Sequence, residues 1–299
     1  MTETDAGIIR PSRVIDAHTH LFPEEVVRDR APFLARDAWF GETFGHPKAT
    51  TATADELIAS MDRAGIARSV VCGWPWRDPG LCRMHNDDLA EVGRRHGDRL
   101  SWMAIVNPTD PGAPAEVARC AALGAVAIGE LNADGQGFQW ENPSALAPFV
   151  EACVALNVPI HLHASEPVGH QYPGKGTATP AKLLRFLETF PEVRVVAAHW
   201  GGGLPFYELM PEVARATQNV VYDSGASTYL YTFDVFPIVA RLAGEGRILF
   251  GSDYPVLKQT SFLKRFLASG IDPEHVEAMA WRNAARWFHL PELTEGVSE

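Results

Sequence analysis

The stretch Asp16-Ala17-His18-Thr19-His20 follows a short apolar run, Val14-Ile15, close to the N-terminus. In a β-strand successive side chains alternate between the two faces, so His18 and His20 should point the same way, about 6.6 Å apart along the chain. Two imidazoles on one face at the end of a strand can bind one metal ion. Taken alone, the stretch also fits a polar strand end with two surface histidines.

Three positions far downstream strengthen the metal interpretation. His163, His199 and Asp253 each follow an apolar, strand-like run directly. One His-x-His spacing is a weak signal, whereas ligand-type residues at matching positions in separate units are a strong one. The pattern predicts a site assembled from the ends of several strands.

Short apolar runs recur along the whole chain with helical patterns between them. Such strands, alternating with helices, are typical of a parallel sheet that is covered on both faces. Eight units over roughly 250 residues predict an α/β fold, a single (β/α)8 TIM barrel. A doubly wound open sheet is the competing fold, but no GxGxxG follows the first strand. The predicted strands are Val14–Ala17, Ile66–Cys72, Leu100–Val106, Ala125–Leu131, Val158–His163, Val193–His199, Val220–Asp223 and Arg247–Gly251.

The chain shows no linker that would divide it into domains. We expect a disordered N-terminal segment over residues 1–12, the barrel over residues 13–290, and a tail over residues 291–299. The stretch Leu21–Thr53 is too long for an ordinary connection and carries several aromatic residues, so this extended loop after the first strand should pack across the barrel mouth. Ser261–Leu267 and Glu274–His289 are predicted to close the barrel as C-terminal helices.

Composition narrows the classes of function. The 299 residues are 46% hydrophobic, and the net charge of −11 argues against a nucleic-acid binder. No apolar run approaches the ~18–20 residues of a membrane span, and the polar N-terminus lacks the apolar core of a secretory signal. The four cysteines have no CxxC spacing and fit free thiols in a reducing compartment. We therefore expect a cytoplasmic enzyme with a small-molecule substrate and no membrane partner, with association into a homo-oligomer such as a dimer left open.

A TIM barrel gathers its functional residues at the C-terminal ends of its strands. Imidazole nitrogens and carboxylate oxygens are ligands that suit Zn²⁺, and also Mn²⁺ or Fe²⁺. A catalytic ion needs an open position, so three or four protein ligands and one water molecule are expected. The strand-end residues of these types are His18, His20, Glu130, His163, His199 and Asp253. His161 lies on the same strand as His163, one layer deeper.

Four motifs together resemble the amidohydrolase superfamily. The resemblance is closest to the amidohydrolase-related branch (family 2), which also contains the aminocarboxymuconate-semialdehyde and hydroxybenzoate decarboxylases. It extends from Val14 to about Leu290 and is specific for fold and metal site, but not for substrate. The motifs are His18-x-His20, Leu162-His163-Ala164-Ser165-Glu166-Pro167, Ala198-His199-Trp200-Gly201-Gly202 and Gly251-Ser252-Asp253-Tyr254-Pro255.

The resemblance implies a ligand set. His18, His20, His163 and Asp253 would bind one divalent metal ion, with Zn²⁺ favoured over Mn²⁺ or Fe²⁺. His199 would lie beside the ion as an acid/base or electrostatic group.

The fourth strand end distinguishes this chain from the binuclear amidohydrolases, because it offers no lysine for a carbamylated bridge. Glu130 stands there instead. It could bridge a second metal ion, as in TatD-like hydrolases, contact the substrate or the metal ligands, or form a structural ion pair. One ion is favoured over two.

Two loops provide candidates for substrate binding. Trp74 and Arg77 follow the second strand directly, and Arg77 could hold a substrate carboxylate through a bidentate contact. His170, Tyr172 and Lys175 lie in a Gly- and Pro-rich loop after the fifth strand, which is either a solvated loop or a lid over the substrate. Packing beneath the long loop is the alternative role for Trp74.

These residues predict hydrolysis of a small carboxylate-bearing amide, lactone or ester. A metal ion lowers the pKa of its bound water, Asp253 would accept the proton from that water, and His199 would stabilise the developing oxyanion. A non-oxidative decarboxylase of the same branch, with a carbon protonated instead, is the alternative, and an inactive metal- or ligand-binding barrel is a minor one. Hydrolysis is favoured because the Glu130 turn and the loop after the fifth strand are unlike the decarboxylase patterns.

Overall fold

The computed structural model describes residues 10–290. Residues 1–9 of the predicted disordered segment, and the whole predicted tail at 291–299, lie outside the described residues. Ser12 belongs to the segment predicted to be disordered, and its hydroxyl donates to Glu277 Oε2 at 2.9 Å.

The eight predicted strands form one parallel sheet in which each strand pairs with the next along the chain. The sheet closes where the Ala17 amide donates to the Phe250 carbonyl at 2.8 Å and Thr19 pairs with Tyr254. The predicted TIM barrel is confirmed. Its strands are β1 (Ile15–His20), β2 (Arg68–Cys72), β3 (Leu100–Ala104), β4 (Ala127–Leu131), β5 (Ile160–Leu162), β6 (Val195–Ala197), β7 (Val220–Asp223) and β8 (Ile248–Leu249).

Helices connect the strands and cover the outside of the barrel. Within residues 10–290, no helix is long and apolar enough to cross a membrane. Short 3₁₀ turns occur at Leu204–Tyr207 and Glu245–Arg247, a helical turn at Ala198–Gly201, and a π turn at Ala278–Arg282. The α-helices are α1 (Glu24–Arg28), α2 (Ala31–Arg36), α3 (Ala38–Phe44), α4 (Ala54–Ala64), α5 (Pro79–Arg95), α6 (Ala113–Ala122), α7 (Ala133–Gln136), α8 (Pro143–Ala155), α9 (Pro180–Thr189), α10 (Pro211–Ala216), α11 (Ser227–Leu230), α12 (Val235–Ala243), α13 (Gln259–Leu267), α14 (Pro273–Glu277) and α15 (Asn283–Trp287).

Local sequence explains where these helices begin and end. The Thr53 side chain accepts from the Glu56 amide while the Glu56 side chain accepts from the Thr53 amide, a capping box that starts α4. Asp78 caps α5 by accepting hydrogen bonds from the amides of Gly80 and Leu81, which places the start of the helix at Pro79. Pro211 starts a new helix because it cannot continue the preceding one.

The long segment after β1 folds into α1, α2 and α3. Phe22, Phe40 and Phe44 are buried, and their rings pack against one another with centroids 5.0 to 5.9 Å apart. Burying aromatic side chains stabilises each by about 1.5–3 kcal/mol relative to exposure. The segment therefore packs on the barrel, as predicted, and places α3 beside the functional end.

A bulge in β4 determines the direction of the Glu130 side chain. The pairing register of β4 with β5 shifts between Ile128 and Leu131. Gly129 has φ +138°, and a Cβ atom there would collide with the carbonyl oxygen of His161. Only glycine fits this close approach of two strands, and Glu130 follows it buried inside the barrel.

We predict that Gly129→Ala lowers the free energy of unfolding by about 2–4 kcal/mol, since backbone strain and overpacking add. Denaturant unfolding would measure the change. Gly124→Ala is the matched control, because Gly124 also has positive φ (+96°) but open space around the position of a Cβ. Equal losses in both variants would contradict the steric explanation.

Candidate active site

His18 and His20 present their Nε2 atoms to each other at 3.1 Å. The Nδ1 atom of His18 lies 3.2 Å from both carboxylate oxygens of Asp223, and that of His20 lies 3.3 Å from the carbonyl oxygen of Gly73. Because these partners can only accept, each Nδ1 carries the hydrogen of the neutral ring. Two Nε2 lone pairs then face each other, and this is unfavourable unless a proton or a cation lies between them.

Two carboxylates complete this group of donor atoms. Glu130 Oε2 lies 3.7 Å from His18 Nε2 and 3.5 Å from His20 Nε2. Asp253 Oδ1 lies 3.7 and 3.4 Å from the same two nitrogen atoms. Ligands bonded to one ion at about 2.0–2.2 Å are separated from one another by about 3.0–3.6 Å. The four donor atoms therefore fit a divalent cation in both chemistry and spacing.

The other oxygen of Glu130 contacts two further histidines. Glu130 Oε1 lies 2.9 Å from His163 Nδ1 and 3.1 Å from His199 Nε2. The remaining ring nitrogen of His163 lies 3.2 Å from the Ser165 hydroxyl. Within residues 10–290 the hydrogen-bonding partners of His163 are thus Glu130 and Ser165, and its role as a metal ligand stays a prediction. Glu130, the residue whose role was left open, lies between the two histidine pairs.

His199 and Asp253 both have left-handed backbone conformations, with φ +55° and +64°. Such conformations are costly for non-glycine residues and persist where surrounding contacts hold them. The His199 amide donates to Asp223 Oδ1 at 3.2 Å, and the Asp253 amide donates to the His18 carbonyl at 2.9 Å. These contacts fix both candidate catalytic residues at the barrel opening.

The hydrogen bonds of His199 define its protonation. Its Nδ1 lies 3.1 Å from the carbonyl oxygen of Gly225 and donates to it. The contact of Nε2 with the Glu130 carboxylate then requires a second hydrogen, so the ring is an imidazolium. Burial lowers the pKa of His199, but the hydrogen bond and charge of Glu130 outweigh burial and raise that pKa to about 9.

Mutual stabilisation of opposite charges extends across the site. Burial raises the pKa of Glu130, but the positive charges of His163 and His18 outweigh it and hold that pKa well below its usual value. Burial lowers the pKa of His18, but the carboxylates of Asp223 and Glu130 raise it well above its usual value. The site without a metal ion therefore attracts protons, for which a divalent cation would compete.

Asp223 is a residue of this network that the sequence analysis did not select. It lies fully buried at the end of β7. Its carboxylate accepts from His18 Nδ1, from His161 Nε2 at 2.6 Å, and from the amides of His199 and Gly225. His161 is thus the hydrogen-bonded interior histidine, one layer deeper than His163, that its position predicts. Asp223 could have been found from its position at a strand end, because the same criterion identified the other candidate residues.

A cavity of about 370 Å³ opens above these residues. Three of the predicted substrate-binding residues line it: Trp74, His170 and Tyr172. The sequence analysis did not single out Trp39 or Asn132, which also line it. Its base includes His20, Glu130, His163, His199 and Asp253.

The other two predicted substrate-binding residues do not line this cavity. Arg77 is exposed, its amide donates to Asp37 Oδ2 at 3.0 Å, and its guanidinium lies against Gly137. Lys175 donates to the carbonyls of Val168 and His170 at 2.8 and 3.0 Å, and so ties its own loop together. The placement of Arg77 gives no support to its predicted contact with a substrate carboxylate.

Residues 15–290 match the family model described as Amidohydrolase, the Amidohydro_2 family. The chain belongs to this amidohydrolase family. The match spans every strand of the barrel and every residue of the donor group. The chain is therefore an enzyme of the amidohydrolase-like fold.

Several relatives of this amidohydrolase-family chain are decarboxylases. It is 26% identical to the gamma-resorcylate decarboxylase of a Polaromonas species, over 91% of this chain and 97% of the relative. The chain is also similar in structure to a 5-carboxyvanillate decarboxylase from Novosphingobium aromaticivorans, which was solved with manganese and 4-hydroxy-3-methoxy-5-nitrobenzoic acid. The TM-score is 0.76 at 20% identity, and the match covers 93% of this chain and 96% of that one. The 2,6-dihydroxybenzoate decarboxylase from Rhizobium has a TM-score of 0.72 at 22% identity, over 93% and 99%.

These comparisons correct the expected reaction of this amidohydrolase-family chain. The prediction that it is a hydrolase is wrong, since the relatives that match over nearly their whole length are decarboxylases. The strand-end histidines and aspartate serve either reaction, so the motifs alone could not distinguish the two.

Proposed function

We propose that this chain is a metal-dependent decarboxylase that removes CO₂ from an aromatic hydroxy acid. The observation that carries the proposal is a pair of histidine nitrogens, 3.1 Å apart, with a Glu130 and an Asp253 oxygen each 3.4–3.7 Å from both of them, at the base of a cavity with aromatic walls. The decarboxylase relatives support the choice of reaction.

In this proposal His18, His20, Glu130 and Asp253 hold the ion. A divalent cation bound there would hold the carboxylate and a neighbouring hydroxyl oxygen of the acid and withdraw electron density from the ring. Manganese in the carboxyvanillate decarboxylase structure favours Mn²⁺ as the first ion to test, and gives no support to the expected preference for zinc.

His199 supplies the proton. The bond between the ring carbon and the carboxyl carbon breaks, its electron pair stays on the ring carbon, and CO₂ leaves. The ring carbon takes the proton from His199 Nε2, and water returns a proton to the imidazole. Glu130 Oε1, 3.1 Å away, keeps the imidazolium oriented toward the cavity between turnovers.

The proposal favours one ion over two, because a second ion on the Oε1 side of Glu130 would displace the proton of His199. The competing two-ion arrangement draws on the positions of His163 and His199 around that same oxygen. After metal loading, we expect about one ion per chain in the wild type and in Glu130→Gln, since His18, His20 and Asp253 remain. Elemental analysis would measure this content, and a fall from two ions to one in the variant would contradict the proposal.

Metal affinity should fall as the pH falls. Although burial lowers the pKa of both rings, the carboxylates of Asp223 and Glu130 raise the pKa of His18 well above its usual value, and the Cys72 thiol and the Asp253 carboxylate do the same for His20. Ion binding must release the protons that these groups hold on the two rings. Each proton released changes the affinity by about tenfold per pH unit. Competition with a coloured chelator between about pH 6 and about pH 8 would measure the slope, and an affinity independent of pH would exclude proton release.

The proposed function is tested with protein stripped by a chelator and then reloaded with Mn²⁺. A panel of hydroxybenzoates with a hydroxyl beside the carboxylate is the substrate set. We expect CO₂ release from at least one member by the loaded protein, loss of that release after stripping, and its return on reloading. No CO₂ release by the loaded protein from any member would contradict the proposal.

A further inference from the structure

We infer that the cavity selects an aromatic monocarboxylic acid whose ring carries an uncharged oxygen substituent, and that Trp74 and Asn132 determine this specificity. The inference rests on the proposed function for one point only. The reacting carboxylate lies at the strand ends, so the remaining ring substituents face the cavity walls.

The distribution of charge in the cavity argues against a second carboxylate. The charged and titratable groups at its base are Glu130, Asp253 and the imidazoles around them, and those that line it elsewhere are His170, Tyr172 and Tyr229. Among residues 10–290, no lysine or arginine lines the cavity. A second carboxylate on the ring would lose its water without gaining a lysine or arginine partner, which carries a large penalty.

Asn132 offers a hydrogen-bond donor that no group of residues 10–290 accepts. Its Oδ1 accepts from the Gly135 amide at 3.0 Å and caps α7. Because an N–H group must meet the oxygen of the amide, this contact fixes which end of the side chain is Nδ2. Within the described part of the chain, Nδ2 has no acceptor, although Asn132 is 4% exposed and lines the cavity. Nδ2 is thus available to a ligand.

Trp74 offers a second neutral donor. The residue is 7% exposed, and its Nε1 is buried without a hydrogen-bond partner among the described residues. The ring is held by Phe44 and Phe40, with centroids 5.0 and 5.5 Å away. Buried indole N–H groups nearly always find a partner, so this N–H is a candidate donor to a ligand in the cavity that the residue lines. Thr43 also lines the cavity, and its buried hydroxyl has no hydrogen-bond partner in the part of the chain that the structure describes.

These groups come from neighbouring elements of one wall. Thr43 lies in α3, and its neighbour Phe44 contacts Trp74. The ring of Trp39, also in α3, lies so close to Gly135 that a Cβ atom on residue 135 would clash with this ring. Asn132 caps the helix that contains Gly135. The wall therefore combines aromatic surface with uncharged hydrogen-bonding groups, which suits a hydroxyl, ether or amide oxygen.

Matched acids test this selectivity by binding alone. The probes are 4-carbamoylbenzoate, its nearly isosteric dicarboxylate 4-carboxybenzoate, their 3-substituted counterparts, and benzoate. None of them has the hydroxyl beside the carboxylate that the proposed reaction requires. Calorimetry on the Mn²⁺-loaded protein should give tighter binding of a carbamoyl acid than of its dicarboxylate by about tenfold or more. Equal or tighter binding of the dicarboxylates, or no binding of any carbamoyl acid, would overturn the inference.

Two variants test whether Trp74 and Asn132 cause the selectivity. Trp74→Phe removes the N–H and keeps an aromatic ring, and Asn132→Ser removes the amide donor and keeps an oxygen that can cap α7. Each should weaken binding of the carbamoyl acid by about 3- to 10-fold and leave benzoate unchanged. Trp287→Phe and Asn142→Ser are the controls, because neither residue lines the cavity. The Trp287 indole N–H also has no hydrogen-bond partner within residues 10–290, and Asn142 also precedes a helix. Equal losses for benzoate and the carbamoyl acid in either wall variant would contradict the assignment.

This test and the test of the proposed function can fail independently. Selective binding without CO₂ release from any hydroxybenzoate would refute the decarboxylase and retain the selectivity of the wall. CO₂ release together with a preference for dicarboxylates would refute the selectivity and retain the decarboxylase.

Discussion

Replacing His199 with asparagine should lower the turnover number by about 10²–10⁴-fold, the loss typical of a missing general acid. Asparagine tolerates the left-handed backbone conformation of this position and can donate a hydrogen bond to Glu130, but it cannot transfer a proton at neutral pH. The reactive step would therefore lose its proton source while the fold and the donor group stay intact.

Two measurements separate this effect from loss of the ion. The turnover number and the metal content of the His199→Asn variant are determined on the same sample, and the metal content should remain at the wild-type level. His46→Asn, a change at an exposed histidine that does not line the cavity, should alter neither quantity. A variant of His199 with normal turnover, or one in which activity falls only in proportion to bound metal, would remove His199 from the proposed role.

Asp223→Ala should have the largest effect on stability, about 3–5 kcal/mol, because it removes the shared partner of a buried charged network. The change leaves His18 Nδ1, His161 Nε2 and the His199 amide without their acceptor. It should also lower metal affinity by about 10- to 100-fold, since the carboxylate fixes the tautomer and orientation of His18.

Denaturant unfolding and chelator competition would measure these two effects. Asp234→Ala is the control, because Asp234 is an exposed aspartate that accepts from Thr232 at the surface, and its loss should cost less than about 0.5 kcal/mol. An Asp223→Ala variant with wild-type stability and metal affinity would show that the interpretation of the buried network is wrong.

The features that could be predicted from the sequence are those that local patterns of apolar and polar residues determine. The alternation of apolar runs with helical segments predicts the barrel, because each strand must be buried on both faces. The same alternation places His18, His20, His199 and Asp253 at one end of the barrel, since parallel strands all finish there.

The features that could not be predicted depend on contacts between distant segments. Glu130 lies at the centre because Gly129 allows a bulge against His161, and a bulge leaves no periodic signal. Arg77 lies outside the cavity because Asp37, forty positions earlier in the chain, binds its backbone. Asn132 and Trp39 line the cavity through the packing of short helices whose arrangement the sequence pattern does not specify.

The motifs could not distinguish hydrolysis from decarboxylation, for a chemical reason. Both reactions need a bound cation and a nearby acid/base group, and the strand ends supply these in the same positions. The two reactions differ in whether a proton or an oxygen atom of water enters the organic product. The pattern of metal-ligand residues contains no information about this.

The fate of solvent atoms therefore tests the central claim most directly. The Mn²⁺-loaded protein is incubated with a hydroxybenzoate substrate in D₂O and, separately, in ¹⁸O-labelled water, and the organic product is analysed by mass spectrometry and NMR. The proposed decarboxylation predicts one deuterium on the ring carbon that carried the carboxylate, and no ¹⁸O in the phenolic product. A product that retains its carboxylate and gains ¹⁸O, or a vacated carbon without deuterium, would contradict the account.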